Sequence, residues 1–196
     1  MASSSPVSRP VALILGHSFV KRLQRDLLSY FDVRASLSFD LEKDAVVQMH
    51  GVGGRTVSKL VRLDLSVVAN LKPDIVILEI GTNDLSLFSP ELVGSSIDDL
   101  VCLLIETLRV KVVGVCHVIP RVGRAVSDFN AKAEILNNYL DVVLEERPQV
   151  FCWTHKGFSN PTVCPYLPDG VHVNFLGQYS LYRSYRGAMM KALRLL

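Results

Sequence analysis

The sequence predicts an α/β fold of three layers, a parallel sheet with helices on both faces, and three observations carry that prediction. Short apolar runs alternate along the chain with segments whose apolar residues recur at helical spacing. The runs show no in-and-out alternation, so both faces of each strand must be covered, as in a parallel sheet. The chain has 196 residues, of which 49% are hydrophobic and 20% charged, enough apolar material for one compact domain with a substantial core.

Residues 11–15 form the first strand, and Phe19, Leu23, Leu27, Tyr30 and Phe31 follow on one helical face. A second run at 45–49 leads into a helix pattern through Leu60, Leu63, Val67 and Leu71, and residues 74–80 make a nearly all-apolar third strand. Ser89-Pro90-Glu91 starts a helix, a hydroxyl cap followed by Pro at the first helical position, where its missing N–H costs nothing. Residues 111–118 and 149–153 are the fourth and fifth strands, with helices over 127–146 and 175–195. Five parallel strands joined by right-handed crossovers favour a doubly wound, flavodoxin-like order, in which ligands bind beyond the carboxyl ends of the strands. Residues 1–10, rich in Ser and Pro, read as a flexible N-terminal segment or linker, leaving 11–196 as the domain.

A formal charge of +2 is too mild for a nucleic-acid groove, and the basic group Lys21, Arg22 and Arg25 reads as the solvated face of an amphipathic helix. The cysteines at 102, 116, 152 and 164 form no CxxC pair, so neither a zinc site nor a disulfide framework is expected. No run reaches the ~18 apolar residues of a membrane span, and residues 1–10 hold no apolar stretch for a signal peptide. A cytoplasmic setting follows, unless the chain is excised from a longer protein that carries its own address.

The chemistry-bearing residues stand directly after strands. Gly16-His17-Ser18 puts a serine at the start of a helix, where unpaired N–H groups favour a developing negative charge; the same position also suits a plain N-cap. Gly51-Val52-Gly53-Gly54-Arg55-Thr56 offers a Gly-rich turn in which backbone amides can approach a ligand, or simply a turn. Gly81-Thr82-Asn83-Asp84 brings a neutral side-chain amide suited to an oxyanion, though Asn there also serves turn chemistry. Asp169 and His172, three residues apart before the last helix, can pair so that the carboxylate fixes the imidazole tautomer. Each segment alone is ordinary; four rim segments each supplying one part of acyl transfer are not.

Taken in order, Gly16-His17-Ser18, Gly54, Gly81-Thr82-Asn83-Asp84 and Asp169-xx-His172 resemble the four sequence blocks of the SGNH, or GDSL-type, hydrolase superfamily over residues 11–195. The resemblance implies an SGNH hydrolase fold and a serine esterase with Ser18 as nucleophile, His172 as general base and Asp169 as its orienter. It places the oxyanion among Ser18 N–H, Gly54 N–H and the Asn83 amide, with no metal or organic cofactor. Leu15-Gly-His-Ser-Phe-Val-Lys-Arg-Leu, Gly51-Val-Gly-Gly-Arg-Thr and Asp169-Gly-Val-His-Val-Asn also resemble the esterase domain of first-open-reading-frame proteins of LINE-type retrotransposons.

His17 departs from the Asp usual in the first block, so local hydrogen bonding or pH dependence is expected to change while activity survives. Leu85 and Phe88 are candidate acyl-pocket residues, and Arg121, with Arg124 beside it, a candidate for an anionic head group. The GxSxG elbow of the larger α/β-hydrolases is absent, since Val20 stands two residues after Ser18. Short-chain or acetyl esters are the expected substrates, with lipid esters in reach. The expected partners are a small-molecule or lipid ester and, at most, a transiently touched membrane surface, with no direct nucleic-acid site. The rival readings are a weakly catalytic module that binds an acyl or lipid ligand on the same scaffold, and a nucleotide-binding domain using the Gly51 turn.

Overall fold

The computed structural model describes residues 8–29, 36–123, 126, 128–158 and 164–196. Residues 1–7, Tyr30, Phe31, Arg124 and Ser127, all used in the sequence reading, lie outside them.

The chain runs β1 (Val11–Gly16), α1 (Ser18–Ser29), β2 (Val46–Gly51), α2 (Val57–Leu63), α3 (Leu65–Leu71), β3 (Ile75–Glu79), α4 (Pro90–Cys102), β4 (Val112–Cys116), α5 (Phe129–Leu144), β5 (Val150–Trp153) and α6 (Phe175–Leu193). All sheet pairings are parallel, in the order β2-β1-β3-β4-β5, which is the expected doubly wound arrangement. β3 and β4 are buried along their whole length, whereas edge strand β2 is only partly covered. Two apolar clusters sandwich the sheet. One gathers Val57, Leu60, Val68, Ile97, Leu100, Leu136 and Leu140 from α2 to α5; the other gathers Phe19, Leu23, Leu181, Tyr185 and Met189 from α1 and α6.

The helix starts follow their caps. Ser89 Oγ accepts from Leu92 N with Pro90 in the first helical turn, Thr56 Oγ1 accepts from Lys59 N, and Asn174 Oδ1 accepts from Gly177 N. One expected helix is two. The pattern through Leu60 to Leu71 breaks at Asp64, because that carboxylate is buried between Arg55 (2.6 Å) and His50 (3.1 Å) and ends α2 while opening α3. Among the described residues no helix is long and apolar enough to cross a membrane.

Strand register sets the site. Gly16 stands level with Gly51 of β2 on one side and Glu79 of β3 on the other, so three strands end at the same height. Gly16 has to be glycine: a Cβ there would lie 2.2 Å from the Glu79 carbonyl oxygen. Gly16→Ala is therefore expected to cost about 1–3 kcal/mol or more by overpacking, read as a lower urea midpoint with an unchanged slope.

Candidate active site

Ser18 is the first residue of α1, lifted off β1 by Gly16 and His17, whose N–H donates to Glu79 O at 3.2 Å. The first N–H groups of a helix have no intrahelical partner, and that of Ser18 makes no other hydrogen bond among the described residues. Beyond β2, Gly54 takes a φ of 69°, a left-handed conformation natural to glycine. Its N–H is likewise unbonded among the described residues. Asn83 ties the third segment to the second: Nδ2 donates to Arg55 O at 2.8 Å, which fixes the amide and leaves its second N–H available. Asp84 reinforces the link by accepting from Val57 N at 2.9 Å.

The fourth segment is a turn of its own, closed by an antiparallel bridge between Tyr166 and Val173 and by Leu167 N donating to His172 O at 2.7 Å. Within it Asp169 Oδ1 accepts from the N–H groups of Val171 and His172, and Oδ2 meets His172 Nδ1 at 2.6 Å. The bond from His172 is the main reason the Asp169 carboxyl is drawn down to about 2, so the pair stays ionised on its acid side at neutral pH. Ser18, Gly53, Gly54, Thr82, Asn83, Val171 and His172 all line one cleft of about 460 Å³. An alcohol, a carboxylate-held imidazole and unpaired N–H donors thus share a cavity, the parts that acyl transfer requires.

The sequence profile of the GDSL-like lipase/acylhydrolase family matches residues 14–178, a span that contains all four segments. The chain belongs to that family. No curated protein sequence is significantly similar to it. Among solved structures it is similar to a GDSL-like lipase from Bacteroides thetaiotaomicron, at 18% identity and a TM-score of 0.71 over 93% of this chain and 89% of that one. It is also similar to a carbohydrate esterase family 3 protein from Talaromyces cellulolyticus, at 18% identity and a TM-score of 0.70 over 95% and 99%. A third is an acetyl-xylooligosaccharide esterase from Geobacillus, at 18% identity and a TM-score of 0.68 over 95% and 94%.

Three residues expected at the substrate do not line the cleft of this GDSL-family chain. Leu85 is a core residue, 1% exposed, packed with Val57 and Ile97, because the short 3₁₀ turn Asp84–Ser86 directs it inward. Phe88 is 48% exposed, past that turn and away from the cavity. Arg121 sits behind the rim: its guanidinium lies 3.6 Å from the Phe129 ring centroid and donates to Thr82 O at 3.2 Å, bracing the Asn83 segment. Lys21 and Arg25, read from sequence as part of a solvated face, are exposed, and together with half-buried Arg22 they also line the cleft. Their spacing from Ser18, three, four and seven residues along one helix, was the signal for that placement.

His17 does not compete for the role of base, since it is 1% exposed and lies beneath the cleft. Its Nδ1 accepts from Phe19 N at 3.4 Å, which leaves the proton on Nε2, 3.6 Å from Glu79 Oε1 and without a hydrogen-bond partner. Burial lowers its pKa to about 4, so the ring is neutral at ordinary pH. Glu79 is the hub of a buried network that the sequence reading missed, although a carboxylate inside an apolar strand was a visible signal. His155 Nε2 meets its Oε2 at 2.7 Å, Tyr185 Oη donates to the same oxygen at 2.8 Å, and Ser184 Oγ joins His155 Nδ1 to Trp153 Nε1. Burial opposes charge on Glu79, yet the interaction with His155 and the hydrogen bond from Tyr185 hold its carboxyl below its ordinary value.

Among the described residues, two clusters bring ligand atoms within 4.8 Å of one another as a metal would require: buried Glu79, Cys116 and His155, and the more open His117, Asp141 and Cys152. In the first, burial pushes the Cys116 thiol well above its ordinary value, disfavouring the thiolate a metal would take, and Glu79 and His155 are already joined to each other. In the second, His117 bonds Asp141 and Thr154, both at 3.0 Å.

Two buried groups give stability opposing pH dependences. His17 titrates near 6.5 when unfolded and near 4 when folded, so its contribution is complete above pH 6.5 and lost as pH falls towards 4, roughly 3 kcal/mol in all. Burial raises Asp84 from 3.8 to about 6, so its charged form weakens the fold as pH rises between those values. Asp84→Asn, which keeps an oxygen for Val57 N, is expected to lose stability more steeply than the wild type between pH 6.5 and 4 in urea titrations; equal slopes would refute the assignment. His17→Asp sets a second carboxylate against Glu79 and is expected to destabilise by about 3–5 kcal/mol, the cost of an uncompensated buried charge.

Proposed function

We propose that the chain is a serine esterase that hydrolyses carboxylic esters through an acyl-enzyme intermediate. The observation that carries this reading is the cleft that Ser18, Gly54, Asn83 and His172 line together, with Asp169 bonded to the far side of the imidazole. Ser18 Oγ attacks the ester carbonyl while His172 Nε2 takes its proton, and Asp169 holds the proton on Nδ1 and steadies the imidazolium. The oxyanion is met by Ser18 N–H, Gly54 N–H and the free N–H of Asn83, donors fixed before the charge appears. His172 then protonates the leaving alcohol, and water, activated by the same imidazole, releases the acyl group. The steps need neither a metal nor an organic cofactor.

Short acyl groups, acetyl first, suit an open cleft of this size in which the expected apolar lining of Leu85 and Phe88 is absent. Acetyl esters are also the substrate class named for the Geobacillus neighbour, and lipid esters stay within the family's description. The wording around Ser18, Gly54 and His172 supports a narrower origin, the esterase domain of a LINE-type first-open-reading-frame protein working inside the cell.

The test is hydrolysis of p-nitrophenyl acetate and longer-chain analogues by wild type and variants of matched thermal stability. Ser18→Ala is expected to lose the p-nitrophenol burst and turnover. Asn83→Ala should lower kcat by about 10²–10³, the usual loss for one oxyanion donor. Asp169→Asn should lower it on the order of 10⁴ by stabilising the wrong imidazole tautomer. Turnover surviving in Ser18→Ala would falsify the reading and leave the acyl-binding module in its place.

A further inference from the structure

Ser18, Lys21, Arg22 and Arg25 form one stripe of α1, and the stripe is a wall of the cleft. At 1.5 Å per residue, Lys21 and Arg22 stand about 5–6 Å along the axis from Ser18 and Arg25 about 10 Å. Among the described residues that line the cleft there is no carboxylate: Asp169 lies behind His172, and Asp84 turns to Val57 N. Arg25 is engaged by Asp26 at 2.7 Å, whereas Lys21 and Arg22 make no ion pair among the described residues. Arg22 is half-buried. The amino-terminal end of α1, at Ser18, adds potential of the same sign.

Lys21 is exposed and reaches solvent as well as the cleft, and Arg22 is half-buried in its wall. Here two uncompensated cations share a concave, single-signed wall with the serine, an arrangement that concentrates field and raises the local concentration of anions. We propose that the substrate is an ester bearing an anionic group, a phosphate or comparable oxyanion, bound by Lys21 and Arg22 on the helix wall beside Ser18; the inference rests on the esterase reading of the same cleft. Arg121, expected to serve a head group, is committed to Thr82 and Phe129, so the anion site falls to α1 instead. Arg22 and Arg25 also border an adjoining hollow of about 300 Å³ in which Leu167, Val173 and Phe175 stand beside the polar Asp26, Asn174 and Gln178, so an apolar tail would find only part of its wall there.

The experiment compares kcat/KM for para-acetoxybenzenesulfonate with that for the uncharged para-acetoxybenzenesulfonamide, in wild type and in the Lys21→Gln/Arg22→Gln double variant. The variant's anionic-over-neutral selectivity is expected to be about tenfold lower than the wild type's, and added salt should erode selectivity in the wild type only. Equal, salt-insensitive selectivity in the two proteins would overturn the proposal while leaving the esterase reading intact. Failure of the wild type to hydrolyse the uncharged ester, or hydrolysis that persists in Ser18→Ala, would strike the esterase reading itself. A second pair, decanoyl lysophosphatidate against monodecanoylglycerol, separates the sources: a greater loss of selectivity here supports a lipid head group, and a greater loss with the benzene esters supports a soluble anionic ester.

Discussion

The register of β1 between β2 and β3 is the constraint on which the rest depends. Because Gly16, Gly51 and Glu79 are level, the chain leaves all three strands at one rim within a few residues of Ser18, Gly54 and Asn83. A one-residue slip in either pairing would turn every side chain of a strand to the opposite face and lift one part of the site away from the others. Continuous burial of β3 and β4 prevents such a slip by making it costly, so the core that stabilises the sheet also aims the chemistry.

Below that rim the fold carries charge where a hydrophobic sheet would ordinarily have none. Glu79 is tolerated in β3 because His155, Tyr185 and the backbone turn at His17 surround it, and a lone buried carboxylate would instead neutralise or unfold the strand. The neutral imidazole at 17 and the ionised carboxylate at 79 form one unit. The family's usual acid in the first block is thereby replaced by a base whose proton faces a carboxylate supplied from the neighbouring strand.

Most of the architecture was legible in sequence. Apolar runs gave five strands to within two residues at either end, and Ser89-Pro90 and Phe175 marked helix starts that the structure shares. What could not be read was set by contacts distant in sequence. Asp64 looked like a polar position on a continuing helix until its pairing with Arg55 and His50 ended that helix. Leu85 looked like a pocket residue because it follows Asn83, but a single tight turn reverses its direction into the core. Lys21 is the exposed charge that its helix pattern indicates, but amphipathicity distinguishes core from surface, not open surface from the rim of a cleft, so the place of Lys21 and Arg22 beside Ser18 was not visible in it. The segments at 16–18, 51–54, 81–84 and 169–172 were visible as chemistry-bearing, while their convergence depended on the strand order.

The site is assembled from two parts of unequal mechanical standing. Ser18, Gly54 and Asn83 are rooted in the sheet. Asp169 and His172 ride on a turn held by the Tyr166–Val173 bridge, by Val122 N donating to Gly170 O, and by the Asn174 side chain. Tied through a turn and not through the strands, such a segment can open while the remaining structure stays folded, at a free energy below that of global unfolding. Opening of the Asp169–His172 turn and collapse of the fold are then separate events, and the temperature at which the cleft comes apart need not be the temperature at which the chain melts.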